Sequence, residues 1–211
     1  FGIFTVKTDG GEPEALPLPE VLLGSRIDPT FTVIGPGFVT RAVLTHPDGS
    51  ADLFLFRKSG KVLQLTNLHS RDLREEDPSP NGRRFLFITP EDPLGTNPSR
   101  NCQVFSVNDL GAGLRQLTHF KETKHATSGC NFTLPRSGCS IGTTFWDPVT
   151  SEIVFYSLCD PFGTNPNGGQ LFAMRPDGSR LRQLTATRGL AVAEDGTVTA
   201  ELPGPFRYSG S

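Results

Sequence analysis

The chain has 211 residues, a formal net charge of -2 and only 36% hydrophobic residues, with 23 Gly and 18 Pro spread along it. No run of Lys or Arg exceeds two residues and no apolar stretch nears the roughly 18 to 20 residues of a spanning helix, which excludes a phosphate-binding stripe and a transmembrane helix. Gly and Pro recur too often for long helices, so the 16 Phe must supply the core of a turn-rich β protein.

In chain order, the sequence begins at Phe1 inside a strand-like stretch, Ile3-Phe4-Thr5-Val6. That start predicts a processed, truncated or partial product, with any signal peptide out of view. Residues 1–16 read as two strands around Asp9-Gly10-Gly11. Residues 38–66 follow as a compact unit: Ala42-Val43-Leu44, the turn His46-Pro47-Asp48-Gly49-Ser50, Leu53-Phe54-Leu55-Phe56, a turn at Ser59-Gly60, and Val62 to Thr66. Residues 77–118 open with a run of turn formers, in which Asn81-Gly82 predicts a type I′ hairpin. The strand Phe85-Leu86-Phe87-Ile88-Thr89, a long loop, Cys102 to Val107, a turn at 109–113 and Leu114 to Thr118 complete that unit. Residues 143–185 repeat the order, and 190–203 read as a last hairpin around Asp195-Gly196.

Two motifs recur. Asp92-Pro93-Leu94-Gly95-Thr96-Asn97-Pro98 returns 68 residues later as Asp160-Pro161-Phe162-Gly163-Thr164-Asn165-Pro166. Leu114-Arg115-Gln116-Leu117-Thr118 returns 67 residues later as Leu181-Arg182-Gln183-Leu184-Thr185, and a shorter form, Val62-Leu63-Gln64-Leu65-Thr66, precedes it by 52. Matched ends with unequal spacing are what loop insertions within structural repeats produce. Each unit is predicted to be a four-stranded antiparallel sheet. The end hairpins, 1–16 and 190–203, would supply the missing halves of one composite sheet.

Ser79-Pro80-Asn81-Gly82-Arg83-Arg84 with the strand after it, then Asn108-Asp109-Leu110-Gly111 and Leu114 to Thr118, resembles the TolB-type, WD40-like β-propeller repeat; the third unit matches at Pro176-Asp177-Gly178 and Leu181 to Thr185. The resemblance covers roughly residues 40 to 190. It implies an all-β, β-propeller fold of four-stranded antiparallel blades at 38–66, 77–118 and 143–185, with a composite blade from 1–16 and 190–203. Both a closed four-bladed ring and an arc of a larger propeller stay open. It further implies an exported, periplasmic or secreted, non-enzymatic scaffold for protein partners, with an envelope-associated complex as one setting. The alternatives are the propeller domain of a prolyl-oligopeptidase-like hydrolase and a carbohydrate-active or lectin propeller.

Candidate chemistry is sparse. Gly138-Cys139-Ser140-Ile141-Gly142 fits the nucleophile-elbow pattern, but no strand precedes it and no helix is predicted after it, so no catalytic residue is assigned. His46, His69, His119 and His125 show no ligand-pair spacing; His119 or His125 with loop Asp or Cys residues is the one metal reading, and no metal or cofactor is expected. Asn131-Phe132-Thr133 matches a glycosylation sequon without further support. Cys102, Cys130, Cys139 and Cys159 match no zinc spacing and are predicted to form disulfides, with three pairings open. The repeated polar loops give the candidate binding residues Asp92, Thr96, Asn97, Asp160, Thr164 and Asn165, because loops on a rigid scaffold commonly carry recognition. The competing role for the same side chains is to cap their own turns.

Overall fold

A computed structural model describes residues 3–6, 9–16, 26–27, 38–57, 59–121, 130, 141–163, 169–186, 190–192 and 198–200. Among these residues every element is a β-strand. The end hairpins are β1 (Ile3–Thr5) with β2 (Glu14–Leu16) and β15 (Leu190–Val192) with β16 (Val198–Ala200). Between them stand three four-stranded antiparallel sheets, each a simple meander. The first contains β3 (Arg26–Ile27), β4 (Phe38–Thr45), β5 (Ala51–Arg57) and β6 (Val62–Gln64). The second contains β7 (Arg74–Pro78), β8 (Arg84–Thr89), β9 (Gln103–Asn108) and β10 (Arg115–Gln116). The third contains β11 (Ile141–Trp146), β12 (Ile153–Ser157), β13 (Gln170–Met174) and β14 (Arg182–Gln183). The two hairpins remain separate sheets, with no ladder joining them among the described residues.

The middle sheet is apolar on both faces, and the period-2 geometry of a strand assigns each residue to one of them. Phe85, Phe87, Phe105 and Val107 pack against Val43, Leu53, Leu55 and Leu65 of the first sheet. Leu86, Ile88 and Val104 pack against Ile153, Phe155, Phe172 and Met174 of the third. Within each layer paired rings stack: Phe87 on Phe105 at 5.5 Å and Phe155 on Phe172 at 5.6 Å between centroids. Short unbroken apolar runs such as Phe85-Leu86-Phe87-Ile88 are thus strands buried between two neighbours.

The turn at 79–84 departs from the predicted type I′ form. Gly82 alone takes the left-handed conformation (φ 66°), and its N–H bonds to Ser79 O at 2.7 Å. Pro80 fixes a negative φ at the position before Asn81, so the turn bends in the type I sense and Gly82 absorbs the reversal. Four other hairpins share a three-residue form with glycine at the left-handed position: Gly49, Gly60, Gly111 and Gly178. In the Asp-Gly turns the serine after the glycine holds the aspartate. Its hydroxyl and amide keep the Asp48 carboxyl below its usual 3.8, and Ser179 does the same for Asp177. A depressed pKa stabilises the fold above the unfolded value and the gain disappears as pH falls through the folded one. Carboxyl titration by NMR should therefore give midpoints below 3.8 for both.

The Gln-Leu-Thr signature closes each sheet. The fourth strand pairs over only two or three residues, and side chains take over where the ladder stops. Gln64, Gln116 and Gln183 donate through Nε2 to the carbonyls of Thr66, Thr118 and Thr185 at 2.7, 2.7 and 2.5 Å. The threonine hydroxyls accept from the amides of Leu53, Val104 and Leu171, each at 2.9 Å. They donate in turn to Asp52, Gln103 and Gln170 at 2.8, 2.7 and 2.6 Å. Thr118→Val would leave the buried Val104 amide unpaired and take one of two hydrogen bonds from Gln103 Oε1, and should cost about 1 to 3 kcal/mol in chemical denaturation.

Successive sheets are joined by one repeated contact. The third-to-fourth-strand hairpin of each sheet lies on the end of the preceding sheet's fourth strand. A Cβ on Gly111 (φ 75°) would stand 3.0 Å from Gln64 O, and one on Gly178 (φ 85°) 2.6 Å from Leu117 O. Polar contacts reinforce the joints. Arg57 donates to Asp109 O at 2.7 Å, Trp146 Nε1 donates to Asp77 O at 3.1 Å, and Arg74 donates to the carbonyls of Ile141 and Gly142.

Among the described residues, side chains at both ends of this array are exposed. Leu65 and Leu117 are 3% exposed beneath the next sheet, whereas their counterpart Leu184 is 47% exposed. Phe4 pairs with Ala15 as Phe172 pairs with Gln183, eleven residues apart in each case, yet Phe172 is buried and Phe4 is 60% exposed.

Candidate functional site

The connections between second and third strands are the places where the three sheets differ. In the first sheet it is the tight turn at His46 to Ser50. In the second and third it is the long Asp-Pro-x-Gly-Thr-Asn-Pro loop, between β8 and β9 and between β12 and β13. The sheets pack in one sense through the repeated glycine joint, so all three connections leave from the same rim.

The loop of the second sheet is fastened by its own polar residues. Asp92 Oδ1 accepts from the Asn97 amide at 2.7 Å. The Asn97 side chain is buried and donates to Pro90 O at 3.0 Å and Asn101 O at 2.8 Å, while its oxygen accepts from Gln103 Nε2 at 3.3 Å. Thr96 donates to Gln116 Oε1 at 2.5 Å, linking the loop to the Gln-Leu-Thr signature. Arg100, at φ 54°, pairs with Glu91 at 2.5 Å. Asp160 is half-buried at the start of the third sheet's loop, and Thr164 and Asn165 lie outside the described residues.

A disulfide joins Cys102, where this loop returns to β9, to Cys130 in the connection toward the third sheet. The Cys130 amide also donates to the Asp72 carboxylate. Cys159, before the other loop, is disulfide-bonded as well. Cys139, Ser140, His125 and the sequon at Asn131 lie outside the described residues.

With Asp92, Thr96 and Asn97 engaged inward, the second sheet's loop presents an apolar tip, and the third sheet's loop has one at the matching position. Leu94 is 45% exposed and Phe162 47% exposed, at equivalent positions of the two copies. The residue before the glycine is apolar in both motifs, and that shared apolar position is the sequence signal for these tips. Phe162 stays anchored beside Phe172, 6.4 Å between ring centroids, so its exposed edge is held in place.

The same rim holds a cluster that sequence spacing did not disclose. His46 Nε2 lies 3.1 Å from Asp52 Oδ2, the rings of His46 and His69 are 5.4 Å apart, and His69 Nδ1 is 3.5 Å from Ser50 Oγ. The opposite rim carries a cavity of about 530 Å³ between the second and third sheets, lined by Arg83, Arg84, Asn108, Trp146, Ser151 and Pro176.

No protein-family model and no curated protein sequence matches this chain. Among solved structures it is similar to a TolB structure from Agrobacterium tumefaciens, with 18% identity over 87% of this chain and 56% of that one and a TM-score of 0.48. It is also similar to TolB from Acinetobacter baumannii, with 15% identity over 88% of this chain and 38% of that one and a TM-score of 0.46. The chain thus spans about half the length of the first and less of the second.

Proposed function

We propose that this chain is a non-enzymatic, exported β-propeller scaffold that binds a protein partner through its loop rim. The observation that carries the reading is the pair of exposed tips, Leu94 and Phe162, at matched positions of the two loops, the first tip on an internally fastened loop and the second beside Phe172. Apolar side chains on a pre-shaped polar framework lose little conformational entropy on binding, which is how rigid loops serve as anchors. Asp92, Thr96 and Asn97 contribute by fixing the shape of that surface. Export is supported by the Cys102–Cys130 disulfide, since such bonds persist in oxidising compartments.

A photo-crosslinking residue at position 94 or 162 should capture a partner protein in the producing cell. The same residue at Leu110, exposed in a single turn of the opposite rim, should not. Equal capture from both rims would sink the reading.

We further propose that the exposed end side chains belong to one more blade. The hairpin with Phe4 and Val6, each 60% exposed, has the register of a third and fourth strand, and β15–β16 supplies a further pair. Cysteines placed at Phe4 and Leu184 should crosslink within one chain if the ends close on each other. Crosslinking only between chains, or none, would contradict closure.

A further inference from the structure

Asp52, Gln103 and Gln170 occupy one repeated position, each accepting a hydrogen bond from the threonine of the Gln-Leu-Thr signature. The fold asks only for an acceptor there, and a neutral amide supplies it twice. The first sheet instead buries a carboxylate with no exposure at all, which is costly unless something positive meets it. Asp52 is held on one side: Oδ1 accepts from Thr66 Oγ1 at 2.8 Å and from the Leu68 amide at 2.6 Å. Its Oδ2 points to the rim, 3.1 Å from His46 Nε2, and also accepts from the His69 amide at 3.4 Å.

His69 completes the constellation at a conformational cost. Its φ is 48°, left-handed for a residue with a side chain, and that backbone sets its ring beside His46. One ligand atom from each of His46, Asp52 and His69 lies within 4.8 Å of the other two. Four ligands about 2.0 to 2.1 Å from a tetrahedral ion sit roughly 3.3 Å from one another, so a modest turn of the exposed His69 ring would draw the set together.

We propose that His46, Asp52 and His69 bind a divalent transition-metal ion of the zinc type. Two imidazoles and one carboxylate are the donor set that borderline ions take, and three protein ligands leave one coordination position open. That position faces solvent on the His69 side, on the rim that carries Leu94 and Phe162. Thr66 and Leu68 are the outer partners that orient the carboxylate, an arrangement that metal-ligating carboxylates ordinarily have. The bland competitor is an Asp52–His46 ion pair, with the His69 amide as a further donor to Asp52, which needs neither the His69 ring nor a metal.

The test is calorimetric titration of the metal-free protein with Zn²⁺, paired with thermal melts. The wild type should bind one ion per chain with a Kd of about 1 μM or tighter, and its Tm should rise with added Zn²⁺. His69→Asn suits the left-handed backbone, touches no buried core and removes one ligand. It should weaken Zn²⁺ binding by more than about 100-fold, since losing an outer-sphere partner alone costs 10 to 100-fold. His119→Asn, outside the cluster, should bind as the wild type does. Absence of stoichiometric binding in the wild type, or an unchanged affinity in His69→Asn, would overturn the proposal.

Discussion

Gly178→Ala should lower the melting temperature by about 10 °C, roughly twice the effect of Gly49→Ala. Both glycines occupy the left-handed position of an Asp-Gly hairpin, with φ of 85° and 81°. Alanine pays about 1 to 2 kcal/mol for that conformation at either site. Gly49 has open space where a Cβ would stand, so the conformational term is the whole cost. At Gly178 the new carbon would stand 2.6 Å from Leu117 O, a backbone atom of the preceding sheet that has no rotamer to yield. Relieving the overlap means moving the third sheet away from the second and disturbing the layer that holds Phe155 and Phe172. Overpacking of this kind adds about 1 to 3 kcal/mol, for a total of about 2 to 5. At roughly 2 to 4 °C per kcal/mol for a chain of this size the difference is easily read in a thermal melt. Equal destabilisation at the two sites would mean that the glycine joint does not exist.

The Cys102→Ala/Cys130→Ala double variant should lose about 3 to 4 kcal/mol. The bond spans 28 residues, and the chain-entropy account assigns that much to closing a loop of this length in the unfolded state. Its placement adds a local consequence. Cys102 lies between Asn101, whose side chain donates to Phe120 O at 3.1 Å, and Gln103, which donates to the same carbonyl at 2.9 Å. Releasing it should therefore raise hydrogen exchange at 97–103 more than in β8. Uniform exchange across the second sheet would show that the bond acts on the chain as a whole and not on the loop.

Much of the architecture was legible because it depends on short-range chemistry. Gln-Leu-Thr can be read as a strand end since all of its hydrogen bonds fall within one sheet, and Asp-Gly hairpins carry their conformation in the glycine. The type of the turn at 79–84 does not follow from Asn-Gly alone, because the Pro80 ring dictates the bend. The His46–Asp52–His69 cluster was hidden for a different reason. His46 belongs to the turn between β4 and β5 and His69 to the connection after β6, and no periodicity links them; only the sheet brings them together. In the repeated loops the polar residues drew attention because they are the unusual ones. The structure places Asp92, Thr96 and Asn97 in the loop's internal hydrogen bonds and leaves Leu94 and Phe162 at the surface.

The central claim is that the rim binds a protein through those two tips. The most direct measurement is affinity capture of the partner by the full chain and by its Leu94→Asp/Phe162→Asp variant, with thermal melts of both. Both side chains are about half exposed, so the charges should leave the Tm within a few degrees while capture is lost. Undiminished capture by a folded variant would contradict the account.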